Sequence, residues 1–576
     1  MYIYLGIYLL LSIPLFFIFK KLNVATWKAF VPLFNIFAWT RVLQCPWWWS
    51  IIAVLPGVNF LMLITLFVLS YRAITQGSDY GKMEKGMLAE ALDLIAFGVI
   101  AGQIIHIYFF QPFQIPTSSM EKSLLVGDFV VVSKLSYGAK IVKTPLTIPF
   151  VHNTMPLSRS GPSYSRFIDL PYMRMPGFGD VQRNDVVVFN FPEQDTSIVE
   201  NTNISYNNTL VDIGYHSFLV KDSSTTHTPL EILTEGRRIF NLSNSLLAFQ
   251  NTDGTSLDIA AQKMGISNKD YNTIINLSRY FAEGMVIPLH TIARPIDKKD
   301  NYVKRCVGIA GDKLEVKDGQ LYINDNPASN PDNLQLTYEL DNAHSSLPLT
   351  FPNGGARQIE DRSDPILEKY NVTEFSSNEK GKNTFPIPIT QVDNVSKDIT
   401  MKPIQENEPK GKLEIRCFPH YYKNNWNRDN YGPLVIPKEG VKVELNMDNI
   451  WLYNRIISVY EGNELQIKDN KISINGKEAT SYTFQQDYFW MMGDNRHNSL
   501  DARYFGFTPK DHIVGKAVFV GPNFNKYNGS MSRWCSFITD KGLTRSYLWE
   551  TLVVIVVVWG GFEFLSRKSA KKQANK

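Results

Sequence analysis

The sequence predicts a mainly β domain of antiparallel sheets, held outside the cytoplasm and anchored by transmembrane α-helices. Three observations predict it. Apolar runs of membrane length stand near both ends of the 576-residue chain. The long middle is built of short runs rich in Val, Ile, Phe and Tyr with period two. Lys and Arg cluster after the last apolar run, where they favour the cytoplasmic side.

Taken in order, Met1 to Phe19 carries no charged side chain and is followed at once by Lys20 and Lys21. A cleavable leader would have its charge before the apolar stretch and small residues after it, so this segment reads as a retained anchor. Ile51 to Ser70 is a second apolar run, entered through Trp47, Trp48 and Trp49 in the manner of an interfacial aromatic belt. Leu94 to Phe110 is a third; its Gln103 and His106 read as groups that pack on neighbouring helices rather than as an ion path. Leu548 to Leu565 is a fourth, followed by Arg567, Lys568, Lys571, Lys572 and Lys576. With that tail inside, residues 111 to 546 fall outside and the Arg72, Lys82, Lys85 loop falls inside. Lys20, Lys21, Lys28 and Arg41 run against the rule, and residues 20 to 47 receive no unique topology.

Within the outer portion, Val126 to Val132 and Asp185 to Phe189 are continuous apolar runs of the buried-strand type. Lys313 to Ile323 alternates around Asp318-Gly319, a strong hairpin signal. Glu464 to Ile474 has nearly the same layout, and the two read as independent hairpins. Ser256 to Met264 and Asn268 to Phe281 read as capped helices. Residues 326 to 450, rich in Asn, Pro and charge, read as a loop-rich subdomain.

Composition narrows the function. Charged residues are 20% and aromatics 13% of the chain, which supplies a large core and excludes disorder. The balance of 59 Lys and Arg against 55 Asp and Glu, a net +4, is too small for a nucleic-acid footprint. Cys45, Cys306, Cys417 and Cys535 are too scattered for a disulfide framework or a CxxC metal site. Cys306 reads as a small core residue. No motif calls for a metal, nucleotide or haem.

Three stretches far apart in sequence carry chemistry: Phe113-Gln-Ile-Pro-Thr-Ser-Ser-Met120, Tyr302-Val-Lys-Arg-Cys-Val-Gly-Ile-Ala-Gly-Asp312, and Met492 to Gly506. A serine becomes a nucleophile when a base takes its proton, and a lysine can be that base only when neutral. A free lysine titrates near about 10.4, so burial has to lower it by roughly two units for work near neutral pH. The apolar strand around Lys304 offers such burial. These residues permit a Ser/Lys pair, and they equally permit a salt-bridged Lys304 and an ordinary loop Ser119.

Together the stretches resemble the boxes of bacterial type I signal peptidases (leader peptidases), the membrane-bound Ser/Lys proteases of family S26, clan SF. Phe113 to Met120 resembles the nucleophile box, with Ser119 as nucleophile. Asp185 to Phe189 resembles the strand G-D-V-V-V-F, with Asn184 where glycine is usual. Lys304-Arg305 with Gly308 and Gly311-Asp312 resembles the general-base box, and Gly493-Asp-Asn-Arg-x-x-Ser499-x-Asp501-x-Arg503 the last box. Lys122 and Ala310 stand where the family usually has proline.

The resemblance implies a signal-peptidase-like β fold in which Lys304 activates Ser119 and an acyl-enzyme forms. It gives the Ser119 N–H and the Thr117 hydroxyl to the oxyanion, and the Ser499 hydroxyl to orienting Lys304. Arg305 with Asp494, and Asp501 with Arg503, become structural ion pairs. Ile115 and Val303 line a shallow apolar pocket for small residues. The implied substrates are exported preproteins with Ala-x-Ala-type signal peptides. The implied setting is a multi-pass protein of the inner (cytoplasmic) membrane, with the lipid bilayer and the secretion translocon as surroundings and no nucleic acid or cofactor.

On this reading the chain divides into a membrane region of about three spans (1–112), catalytic-core stretches (113–195, 291–325 and 485–520), a partly helical insertion (196–290) and an inserted loop-rich β subdomain (326–484). A juxtamembrane stretch (521–546), a C-terminal transmembrane helix (547–566) and a basic tail (567–576) complete it. A Ser/His hydrolase using His497 or His512 competes, but no G-x-S-x-G elbow surrounds Ser119. A tethered binding protein that keeps the fold without the chemistry is the non-enzymatic alternative. The soluble self-cleaving SOS repressors, which share the Ser/Lys fold, are excluded by the apolar spans.

Overall fold

The computed structural model describes residues 2–31, 34–45, 48–53, 59–77, 98–155, 161–195, 197–198, 206–222, 227–253, 256–282, 291–339, 349–350, 357–359, 369–370, 372, 374–377, 383–399, 403–525, 530–558 and 560–561. Two compact units share the chain. One comprises Met1–Gln111, Ser133–Phe178 and Pro295–Lys298; the other comprises Pro112–Val132, Gly179–Arg294 and Lys299–Lys576.

The first unit holds helices Tyr2–Lys21, Phe34–Val42, Trp48–Ile52 and Asn59–Gln76. Leu15, Phe19, Trp39 and Leu66 are fully buried in its core. The Trp39 indole stays satisfied there because its Nε1 donates to Ser70 Oγ at 2.7 Å. Among the described residues no helix is long and apolar enough to cross a membrane. The expectation of transmembrane anchoring therefore does not follow from these helices. The second expected span lies over two separate helices, and the third closes in a π turn, Ile105–Phe109, before the chain becomes a strand at Phe110. The fourth is helical over 548–558. The Lys82/Lys85 loop and the basic tail lie outside the described residues.

The second unit is organised by an eight-stranded sheet. Its strands are β1 (Phe110–Gln114), β2 (Phe129–Ser133), β3 (Val186–Asn190), β4 (Asn301–Gly308), β5 (Tyr488–Met492), β6 (Thr508–Pro509), β7 (Ile513–Val520) and β8 (Ser536–Phe537). They are ordered β1-β2-β7-β3-β4-β5-β6, with β8 on β7. Every residue of β3 and β5 is buried, as unbroken apolar runs require when both sheet faces are covered. On one face Val186 and Val188 join Met120, Leu124, Val130 and Val132. Elsewhere in the unit an aromatic cluster links Phe191, stacked on Tyr302 at 4.4 Å, with Phe505 at 5.3 Å.

Both anticipated hairpins form. Lys313–Lys317 pairs with Gln320–Ile323, and Leu465–Lys468 with Lys471–Ile474. Both residues of each turn, Asp318-Gly319 and Asp469-Asn470, have positive φ, the twist that a two-residue hairpin turn favours. The two units match beyond the turn. The Asn324 side chain caps Lys313 N and the Asn475 side chain caps Glu464 N, each at 2.9 Å, and each hairpin adds a two-residue third strand. They occupy different sheets, so the same local unit occurs twice.

Helices Leu257–Lys263 and Asn268–Ala282 form where the capping residues place them. Two longer helices, Tyr206–Asp222 and Pro229–Asp253, were not read from the sequence. They cross where Gly214 and Gly236 leave no room for a side chain: a Cβ at either would lie 1.9 Å from a carbonyl oxygen of the facing helix. Glycine and β-branched residues hid the helical pattern, and the close crossing stabilises it.

Two departures from the resembled family pattern have backbone reasons. Asn184 has φ +70°, a left-handed conformation that glycine adopts freely and asparagine tolerates. Lys122 has φ +68°, which proline, fixed near −65°, cannot adopt. We expect Asn184→Gly to retain wild-type stability and Asn184→Val to lose about 1–2 kcal/mol in urea unfolding; equal stability of the two variants would contradict this account.

Candidate active site

The site begins with strand alternation. Pairing of Val187 with Lys304 and of Val186 with Arg305 fixes β4 against β3, and the pleat turns Lys304 and Arg305 to opposite faces. The nucleophile turn, Ser118–Met120, follows β1 as a single 3-10 turn with Met120 completely buried in the valine cluster. Lys304 Nζ and Ser119 Oγ meet there at 2.6 Å. Thr117 Oγ1 is 3.5 Å from Ser119 Oγ. Ile115 is buried and Val303 half-buried in the same apolar cluster.

Lys304 is 4% exposed, and its amine lies 5.6 Å from the centre of the Tyr302 ring. Burial lowers its pKa to about 8, while Asp501 and Asp494 pull the other way. Desolvation wins because neither carboxylate forms an ion pair with the amine; each is committed to an arginine. Arg305 grips Asp494 through Nε at 2.8 Å and Nη2 at 2.7 Å, joining β4 to the last box. Ser123 Oγ donates to the same carboxylate at 2.6 Å. Arg503 grips Asp501 through Nε at 2.9 Å and Nη2 at 2.8 Å. That second pair is internal to the box, with Arg503 Nη1 donating onward to Arg428 O at 3.0 Å.

Gly493 and Ser499 complete the box in an unanticipated way. A Cβ at Gly493 would lie 2.2 Å from Ser499 Oγ and 2.5 Å from Ser119 O, so only glycine lets the box close on the nucleophile turn. Ser499 Oγ is buried and has no hydrogen-bond partner among the described residues, so the expected bond from Ser499 to the Lys304 amine is not formed here.

Both candidate histidines point elsewhere. His497 Nδ1 accepts from Thr337 N at 3.2 Å and its Nε2 lies 2.8 Å from Asp429 Oδ1. His512 lies between Asp511 Oδ1 at 2.6 Å and Lys299 Nζ at 3.1 Å. Neither is bonded to Ser119.

Sequence reasoning missed what holds the last box from behind. Gln335 N donates to Asp494 O at 2.8 Å, and Arg496 N donates to Gln335 O at 3.1 Å. Phe418 N donates to Arg503 O at 2.8 Å. Asn495 and Asn498 reach Glu374, on strand Glu374–Ser377. Gln335 and Glu374 belong to one six-stranded sheet with its own core of Leu336, Tyr338, Phe385 and Ile387. These partners come from a loop-rich stretch with no local motif, so only the density of Asn in the box hinted at them.

A family model described as signal peptidase, peptidase S26, matches residues 88–208, 255–389 and 479–521, just over half of the chain. A second, described as a family of unknown function (DUF5684), matches residues 27–119. Signal peptidase I of Buchnera aphidicola subsp. Acyrthosiphon pisum is 30% identical over 98 residues, 16% of this chain and 31% of that protein. Signal peptidase I of Leptolyngbya laminosa is 28% identical over 131 residues, 20% of this chain and 64% of its own length. That of Bacillus amyloliquefaciens is 32% identical over 113 residues, covering 16% and 60%. The chain thus aligns with less than two thirds of each of these relatives. The family match takes in Ser119, Lys304 and the whole last box, and the chain belongs to the signal peptidase family, peptidase S26.

Proposed function

We propose that this protein is a membrane-bound signal peptidase I, a serine endopeptidase that removes N-terminal signal peptides from exported preproteins through a Ser119/Lys304 dyad. The observation that carries the reading is the 2.6 Å approach of Ser119 Oγ to a buried amine whose pKa is lowered to about 8. At that value a useful fraction of Lys304 is neutral near pH 7 to 8 and can accept the serine proton.

Ser119 Oγ attacks the scissile carbonyl as its proton passes to Lys304 Nζ. The ammonium returns that proton to the leaving amine, an acyl-enzyme remains, and a water activated by the same amine hydrolyses it. The Ser119 N–H and the Thr117 hydroxyl stabilise the oxyanion. Ser499, buried and without a partner among the described residues, accepts from the amine once Ser119 is acylated. Ile115 and Val303 supply the apolar wall beside the nucleophile, where a small residue before the cleavage point fits. The two ion pairs keep the last box in register and take no part in proton transfer.

Anchoring in the inner membrane, with the catalytic domain on its outer side, belongs to the same proposal. It is supported by the uncharged stretch Met1 to Phe19, by the basic tail after residue 566 and by the exposed side chains of Val553, Val554, Ile555, Val556, Val557 and Val558 in the helical stretch 548–558. Exported preproteins with Ala-x-Ala sites are the substrates, with the translocon as their source.

Purified protein is expected to cut a peptide carrying an Ala-x-Ala site after its last Ala. Ser119→Ala and Lys304→Met are expected to fold and to lose cleavage, and Lys304→Arg to be equally inactive because a guanidinium stays protonated. Turnover by Lys304→Met would contradict the dyad. The rate is expected to rise with pH through about 8; a rise centred near about 6.5, abolished by replacing His497 or His512, would favour a histidine base instead.

A further inference from the structure

We propose that Glu374 is a positioning residue for the Ser119 nucleophile, acting through the side-chain amides of Asn495 and Asn498. This inference rests on the proposed Ser119/Lys304 chemistry. Glu374 is 2% exposed and forms no ion pair among the described residues. A carboxylate in that setting is expensive, and here burial raises its pKa against the pull of its hydrogen-bond donors. Its donors are the Ser118 hydroxyl of the nucleophile turn itself and two amides of the catalytic box. Asn495 Nδ2 donates to Glu374 Oε1, and Asn498 Nδ2 lies 3.2 Å from both carboxylate oxygens.

The same two amides hold the nucleophile turn. Asn495 Nδ2 donates to Ser118 O at 3.2 Å, its backbone N–H donates to Ser119 O at 3.2 Å, and Asn498 Nδ2 donates to Ser118 Oγ at 3.0 Å. An amide nitrogen has two hydrogens. Asn495 gives one to Glu374, which aims the other at Ser118 O. The Asn495 Oδ1 atom is buried without a partner among the described residues, so no hydrogen bond they make at that end fixes the amide. The carboxylate fixes it together with the Ser118 carbonyl, because rotation by 180° would set Oδ1 against both acceptors, and the charged Oε1 opposes it more strongly. Glu374 thus favours the amide orientation that pins the Ser118 carbonyl, while the Asn495 backbone N–H holds that of Ser119, and together they set the direction of Ser119 Oγ and the Ser119 N–H. A displacement of about 1 Å at such a site costs on the order of a hundredfold in rate.

The role predicts a split between kinetic constants. In the full-length protein acting on the Ala-x-Ala peptide, Glu374→Leu is expected to lower kcat about ten- to a hundredfold with KM changed by less than about threefold. Glu374→Gln keeps one acceptor oxygen but no longer forbids the flipped amide, so it is expected to fold and to recover part of that loss. In an Asn495→Ala background, Glu374→Gln is expected to have a smaller effect on kcat than in the wild type, since one of the two amides through which it acts is gone. Wild-type kcat in folded Glu374→Gln and Glu374→Leu, a rise in KM alone, or effects that add in the double variant would each overturn the inference. If Glu374→Leu does not fold, the Glu374→Gln kcat and the double variant decide. Absence of wild-type cleavage sensitive to Ser119→Ala would instead overturn the proposed function.

Discussion

Everything at this site depends on keeping one amine uncharged inside the protein. A lysine costs least when it is hydrated and protonated, so Lys304 is held at 4% exposure on a strand paired on both sides. The consequence can be read as a linkage. Between about 8 and the ordinary lysine value the unfolded chain binds more protons at this position than the folded one, so stability rises with pH across that window and is reduced below it. A drop of a little over two units corresponds to roughly 3 kcal/mol. In the proposed mechanism that cost is what lets the amine beside Ser119 work as a base.

The surrounding charges are arranged to leave the amine alone. Asp494 and Asp501 are completely buried and close enough to raise the Lys304 pKa, and either as a direct partner would keep it protonated. Each is instead gripped at two points by arginine, which holds both carboxyls below their ordinary range despite burial. Removing one member of such a pair would leave an uncompensated buried charge, at a cost of about 3–5 kcal/mol. The pairs therefore tie down the box and also keep both carboxylates from pairing with the Lys304 amine. Behind them, the sheet that carries Gln335 and Glu374 locks the box through backbone and amide bonds.

Local chemistry was legible in the sequence wherever one segment determined it. The hairpins at Asp318-Gly319 and Asp469-Asn470 follow from turn residues that accept positive φ, and β3 follows from an unbroken valine run. Ser119, Lys304, Arg305 and Asp494 were recognisable because their boxes are compact and ordered. The contacts that join distant segments were not legible. Nothing beside Glu374 announces that it faces Asn495, and nothing beside Ser499 announces that its hydroxyl is left without a partner. The helices Tyr206–Asp222 and Pro229–Asp253 escaped for a related reason: their stability comes from a close crossing at glycines, which a one-dimensional pattern penalises. Apolar runs near the ends were visible, yet the π turn Ile105–Phe109 that closes the third was not.

The central claim is that Lys304 is neutral near physiological pH, and it can be measured without substrate. Titration of the Lys304 side-chain amine by 15N NMR in lysine-labelled protein, assigned by comparison with Lys304→Met, reads the protonation directly. The account predicts a midpoint near about 8, below the ordinary lysine range. A Lys304 amine that stays protonated past about pH 10 in the folded protein would contradict it.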